Sequence, residues 1–86
     1  MAKNLFHEYD VVRVTKLLKP ERDFMGSEDT KRPPRVGDIG TIVDIPEGSS
    51  DYYVVECVDS DEGSWGATLW LADFVSDELE LVEAAK

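Results

Sequence analysis

The side chains that most often do chemistry are scarce in this chain of 86 residues, which holds one cysteine, Cys57, and one histidine, His7. A single thiol excludes a disulfide framework within one chain and any thiolate metal cluster. Cys57 sits among Val54, Val55 and Val58 with no evident activating base, the setting of a small buried hydrophobe rather than a nucleophile. His7 lies in a polar lead-in and reads as an incidental surface residue. Carboxylates are abundant, and Asp59-Ser60-Asp61-Glu62-Gly63 has spacing like part of a calcium loop. Its glycine and glutamate do not fall where an EF-hand needs them, and no helices flank it, so a hydrated hairpin tip is expected. Gly37 and Gly40 resemble a phosphate loop only in spacing, because no helix follows to present its N-terminus to an anion. An enzyme needs a nucleophile with a base, a paired acid and base, or a metal. None is assembled here, so the expectation is a non-enzyme with no metal and no cofactor.

The net charge is −10 and it is unevenly placed. Residues 1–43 carry eight Lys or Arg against seven Asp or Glu, and residues 44–86 carry one against twelve. The second half would repel a phosphate backbone, which argues against nucleic acid. It would attract a basic protein by electrostatic steering, although acidity also serves simply to keep a small domain soluble. The basic cluster Lys31, Arg32 and Arg35 is the one place where an anion could dock. The start of the chain lacks an apolar signal core, and no run approaches the roughly 20 apolar residues that cross a bilayer. A soluble, cytoplasmic chain without membrane contact is expected.

The firmest structural feature is the stretch from Val36 to Val58. Two β-branched runs, Ile39 to Ile45 and Tyr52 to Val58, flank Pro46, Gly48, Ser49, Ser50 and Asp51, which predicts a hairpin with a longer loop. Tyr53, Val55 and Cys57 alternate against a face marked by Glu56, so they are predicted core. Ahead of this hairpin, Val11 to Thr15 reads as a strand with Val12 and Val14 inward and Arg13 facing water. Residues 16–35 form a long connection with three prolines, under which Leu17 and Leu18 can tuck. Phe24 and Met25, in its middle, are either an anchor on the body of the domain or an exposed contact. After the acidic turn, Ala67, Leu69 and Leu71 alternate with Thr68 and Trp70, which places Trp70 outward. Asp73 to Ser76 is predicted as one helical turn, and Asp77 to Val82 as a last strand with Leu79 and Leu81 inward. Residues 83–86 are a tail, and residues 1–86 read as one domain.

Five short strands, a long loop after the first and one helical turn before the last point to an all-β fold, a small SH3-like barrel. The residues Tyr9-Asp10-Val11-Val12, Gly37-Asp38-Ile39-Gly40-Thr41-Ile42-Val43, Tyr53-Val54-Val55-Glu56-Cys57-Val58-Asp59 and Leu69 through Asp73 to Leu79 carry a family likeness. On these the chain resembles the small bacterial SH3-like domains of unknown function family 4926, with a longer first loop than expected of it. That resemblance implies a fold and no established activity. A second stretch, Lys31 to Val43, is similar to the start of the SH3-like domain of nitrile hydratase beta subunits, with Trp65-Gly66 and Asp73-Phe74 falling at comparable places. Similar barrels occur in a ferredoxin-docking photosystem I subunit and in the variable subunit of ferredoxin-thioredoxin reductase. These resemblances imply a barrel that accompanies a catalytic or redox partner. No catalytic residue carries over, since the nitrile hydratase metal ligands lie on the other subunit. The acidic second half argues against docking of ferredoxin, itself acidic.

The functional expectation is therefore a non-catalytic interaction or accessory subunit. Tyr52, Trp65 and Trp70, joined by Phe24 and Met25, form the expected aromatic patch, and an acidic rim selects a basic protein partner. The alternative for the two tryptophans is that they cover the barrel end or each other. Two alternative functions are an acidic antitoxin or immunity-type inhibitor of a basic enzyme, and a beta-like accessory subunit of a nitrile hydratase-like or redox enzyme.

Overall fold

The computed structural model describes residues 6–19, 21–46, 52–58 and 67–85. Five strands form one antiparallel sheet: β1 (Val11–Val14), β2 (Ile39–Asp44), β3 (Tyr52–Val58), β4 (Thr68–Val75) and β5 (Leu79–Glu83). Their order across the sheet is β4-β3-β2-β1-β5. A single 3₁₀ turn, Ser76–Glu78, separates β4 from β5. This is the expected all-β, small SH3-like architecture, with the long connection after β1 and the helical turn before the last strand. Among the described residues no helix is long and apolar enough to cross a membrane.

The inner face follows from period-two alternation. Val12 and Val14 of β1, Ile42 of β2, Tyr53, Val55 and Cys57 of β3, and Leu79 of β5 are buried in one cluster with Phe6. The Phe6 and Tyr53 rings meet edge to face at 5.3 Å, a favoured aromatic geometry. Arg13 points away from this cluster and pairs with Glu80 across β1 and β5.

Strand β4 differs from expectation in phase and in length. Trp70 is fully buried, together with Ala72 and Phe74, while Leu69 and Leu71 are half-buried. The strand runs on through Val75, so Phe74 belongs to the sheet, and the helical turn starts at Ser76 rather than Asp73. Trp70, Ala72 and Phe74 share one parity, and two large rings remove more apolar surface from water than two leucines do. An irregularity between Cys57 and Val58 shifts the register, so that Cys57 faces Trp70 and Val58 faces Thr68. Leu69 is left in the bulge.

The last strand shows a second difference. Leu79 is buried opposite Val14, but Leu81, expected inward, is 48% exposed opposite Val12. Its side chain lies on the core side of a strand that is at the edge of the sheet among the described residues, and it is only half covered.

Glycine is required twice in the turn into β2. Gly37 has φ of 100°, a conformation that side-chain-bearing residues rarely adopt. At Gly40 a Cβ would come within 2.7 Å of both the Glu56 carbonyl oxygen and a Val55 methyl. The missing side chain lets the backbone of β2 approach Val55 and Glu56 of β3 closely.

The long connection lies against the free edge of β4. Met25 and Leu71 exchange backbone hydrogen bonds of 3.0 and 2.7 Å, and the N–H groups of Ser27 and Arg32 donate to the Thr68 and Leu69 carbonyls. Leu17 and Phe24 pack on the core, whereas Leu18 is exposed.

Candidate protein-docking face

Two carboxylates fasten the long connection to the sheet. Asp38 accepts hydrogen bonds from both terminal nitrogens of Arg32 at 2.8 and 2.9 Å, from the Trp70 indole N–H at 2.8 Å and from the Arg35 backbone N–H at 2.9 Å. Glu78 accepts from the Leu18 N–H at 2.7 Å, from the Val75 N–H at 3.0 Å and from the Arg22 guanidinium. That guanidinium also lies 4.1 Å above the Phe74 ring and donates to the Asp73 carbonyl. The Arg22 and Glu78 side chains are 5% and 1% exposed, so the ion pair is screened little by solvent. Asp10 does similar work at the chain ends, accepting from the His7 and Ala85 N–H groups at 2.8 and 2.7 Å.

These contacts set an acid sensitivity. Burial pushes both carboxyls up, but for Asp38 the Arg32, Trp70 and Arg35 donors outweigh it and hold the group below its ordinary 3.8. For Glu78 the Arg22, Val75 and Leu18 donors likewise hold it below 4.5. A carboxyl lowered on folding contributes stability that is complete above its unfolded value and is lost as pH falls through its folded one. The urea midpoint is therefore expected to hold steady above pH 4.5 and to fall increasingly below 3.8. A midpoint unchanged down to about pH 3 would contradict this linkage.

With the connection fastened, the outer face of β2–β4 becomes a firm surface. Cross-strand register places Met25, Leu71, Glu56 and Thr41 in one row across it. Ile39 shares the parity of Thr41, and Tyr52, Val54 and Val58 share that of Glu56. Met25 is 69% exposed, Ile39 46% and Val58 45%. Around Ile39, Thr41, Glu56 and Val58 the surface dips into a groove of about 560 Å³, rimmed by Arg32 and Leu69. The Thr68 hydroxyl donates to Glu56 at 2.8 Å and steadies that carboxylate on the face. Asp44 and Asp73 are exposed beside Val54, to which the ladder pairs both. The face is thus apolar with interspersed carboxylates.

The expected aromatic patch does not assemble as a unit. Trp70 is removed from it altogether, because its indole faces the core, packs on Phe74 at 5.2 Å and satisfies its N–H on Asp38. Phe24 turns inward as the loop anchor, while its neighbour Met25 is exposed, so the pair divides the two roles between them. Tyr52 is exposed on the outer face opposite Val75, about 13 Å along the strand from the Met25 row. Trp65 and the acidic turn at 59–64 lie outside the described residues. In the basic cluster Arg32 is engaged by Asp38 and the Pro33 carbonyl, and Lys31 and Arg35 are exposed.

The residues that sequence reasoning passed over are Asp38 and Glu78 as clamps, and Ile39, Val58 and Leu71 as the apolar part of the face. Asp38 carries a local signal, since an aspartate beside glycine in a turn readily bonds a backbone N–H three residues away. Glu78 at the end of the 3₁₀ turn carries a comparable one through Val75. Their pairing with Arg32 and Arg22 depends on how the connection folds back.

No family model, curated protein or solved structure matches this chain, so the reading of the face rests on its own geometry and charge.

Proposed function

We propose that the chain is a non-catalytic protein-interaction domain or accessory subunit, and that it docks a basic protein partner on the outer face of β2–β4. The observation that supports this reading is the exposure of Met25, Ile39 and Val58 on one firm face that also carries Glu56, Asp44 and Asp73. A few side chains that become packed and desolvated at the centre of an interface supply most of its binding energy, and surrounding carboxylates choose the sign of the partner and speed its encounter. The SH3-like barrel proposed from the family 4926 resemblance fits a rigid carrier for such a face.

The test uses capture from native cell extract at low and high salt, followed by affinity measurement with the purified partner. The Ile39→Ser/Val58→Ser protein is expected to bind about tenfold or more weakly at unchanged thermal stability, because both side chains are already half in water. Binding by the original is expected to weaken with salt. Equal affinity of the two proteins would contradict the reading.

The net charge of −10 also supports a narrower version, an inhibitor of the antitoxin or immunity type that covers a basic active site. Loss of a captured enzyme's turnover on saturation would select that version. Undiminished turnover would select the accessory subunit, including one of the nitrile hydratase-like or redox kind.

A further inference from the structure

Glu56 lies between two hollows of the outer face and lines both. The larger, the groove of about 560 Å³, is walled by Ile39, Thr41 and Val58 with Leu69. The smaller, of about 270 Å³, is lined by Met25, Thr68 and Leu71. Register puts Glu56 there, because it pairs with Thr41 of β2 on one side and with Leu71 of β4 on the other. A half-buried carboxylate is thus carried in the middle of a largely apolar row.

The charges around these hollows are balanced except at this residue. Arg32 and Asp38, which also line the larger hollow, neutralise each other through two hydrogen bonds. Arg13, opposite Ile39 on β1, pairs with Glu80. Among the described residues Glu56 accepts a hydrogen bond from the Thr68 hydroxyl alone, and no cation lies within ion-pair distance of it. A carboxylate has about four acceptor sites, so most of its capacity is open.

These features specify the occupant. An anion is repelled by Glu56, and a wholly apolar side chain would cover the carboxylate without satisfying it, which costs free energy. Lys and Arg combine an aliphatic stem with a cationic head. Ile39 and Val58 lie two residues from Thr41 and Glu56 along their strands, roughly 7 Å, a span suited to a stem of three or four methylenes. The stem then covers Ile39 and Val58 while the head makes a charge-assisted hydrogen bond to Glu56. The smaller hollow is less suited, since a Cβ at Gly26 on its rim would come within 2.6 Å of that of Lys31, a cation of the chain's own.

Resting on the docking reading of this face, we infer that the larger hollow seats one Lys or Arg side chain of the partner and that Glu56 selects it. Preference for a basic protein thereby becomes recognition of one cation at one carboxylate.

The test is a titration of the isotope-labelled protein with the end-blocked tripeptide Ala-Arg-Ala and with its lysine and citrulline counterparts. Citrulline keeps the shape of arginine without its charge. The expected result is saturable shifts at Ile39, Glu56 and Val58 with both cationic peptides, and binding about tenfold or more weaker with the citrulline peptide. Glu56→Gln keeps an acceptor for the Thr68 hydroxyl and should lose the cationic peptides to the same extent at unchanged thermal stability. Asp44→Asn, on the same face, should change their affinity by about twofold at most. Equal binding of the citrulline peptide, or an absence of shifts at Ile39 and Val58, would overturn the assignment. Equal losses in Glu56→Gln and Asp44→Asn would overturn it in favour of unspecific charge attraction. The purified partner separates this site from the docking reading. Full affinity of Glu56→Gln beside weakened Ile39→Ser/Val58→Ser would overturn the cation seat and leave the docking face standing, whereas full affinity of both variants would overturn the docking face itself.

Discussion

Replacing Trp70 by Ala is expected to cost about 3–5 kcal/mol of folding stability. The indole is the largest fully buried side chain in the sheet, packs at a tilt against Phe74 and donates its N–H to Asp38. Its removal opens a cavity at the centre of β4 and takes one of the donors from the carboxylate that holds Arg32. For a chain of this length total stability is on the order of 4–13 kcal/mol, so the variant should lose roughly a quarter of it or more. Trp70→Phe separates the two contributions. It keeps a ring against Phe74, removes the indole N–H, and is expected to cost about 1–3 kcal/mol. Urea unfolding monitored by far-UV circular dichroism measures both. A stable Trp70→Ala protein with weakened partner binding would contradict the buried placement.

The second large effect is expected at Glu78. In Glu78→Ala the guanidinium of Arg22 keeps its burial and loses its counter-charge, and the Leu18 and Val75 N–H groups lose their acceptor. Removing one partner of a buried ion pair typically costs about 3–5 kcal/mol, because the survivor's desolvation is no longer offset. The loss should be concentrated in the connection. Amide exchange at residues 16–24 is expected to rise more than exchange at Tyr53 or Val55. The double variant Arg22→Met/Glu78→Gln removes both charges and should recover much of the stability, since replacing a whole buried pair is often close to neutral. A double variant as unstable as Glu78→Ala would show that the pair acts through packing rather than charge.

How far these features were legible depends on the range over which each is determined. Strand β3 was readable to its end residues, because five of the seven residues from Tyr52 to Val58 are β-branched or aromatic and Glu56 marks its outer face. Val12 and Val14 followed from the same local alternation. Strand β4 was misphased because Ala67, Leu69 and Leu71 offer an apolar alternation of their own. Only when the strand is extended through Phe74 does the heavier parity of Trp70, Ala72 and Phe74 emerge. Leu81 shows the limit of parity itself: its face is the inner one, but it is only half covered. The loop clamps lie beyond local reading. Arg22 meets Glu78 from 56 positions away, and nothing near either residue names the other.

The same distinction applies to the candidate site. Aromatic type pointed to Trp70 and Phe24, which the fold uses for packing. The exposed face consists instead of the ordinary aliphatics Ile39, Val58 and Leu71 with Met25, and strand parity and cross-strand register, not composition, set them on it, while Tyr52 stands farther along β3.

A partner seated on this outer face is what the proposed function requires. The most direct measurement is the methyl chemical-shift footprint of the purified partner on the labelled protein. Shifts are expected at Met25, Ile39, Val54, Val58 and Leu71, with Val12, Val14 and Val55 unmoved. A footprint that spares Ile39 and Val58 while partner binding persists would contradict it.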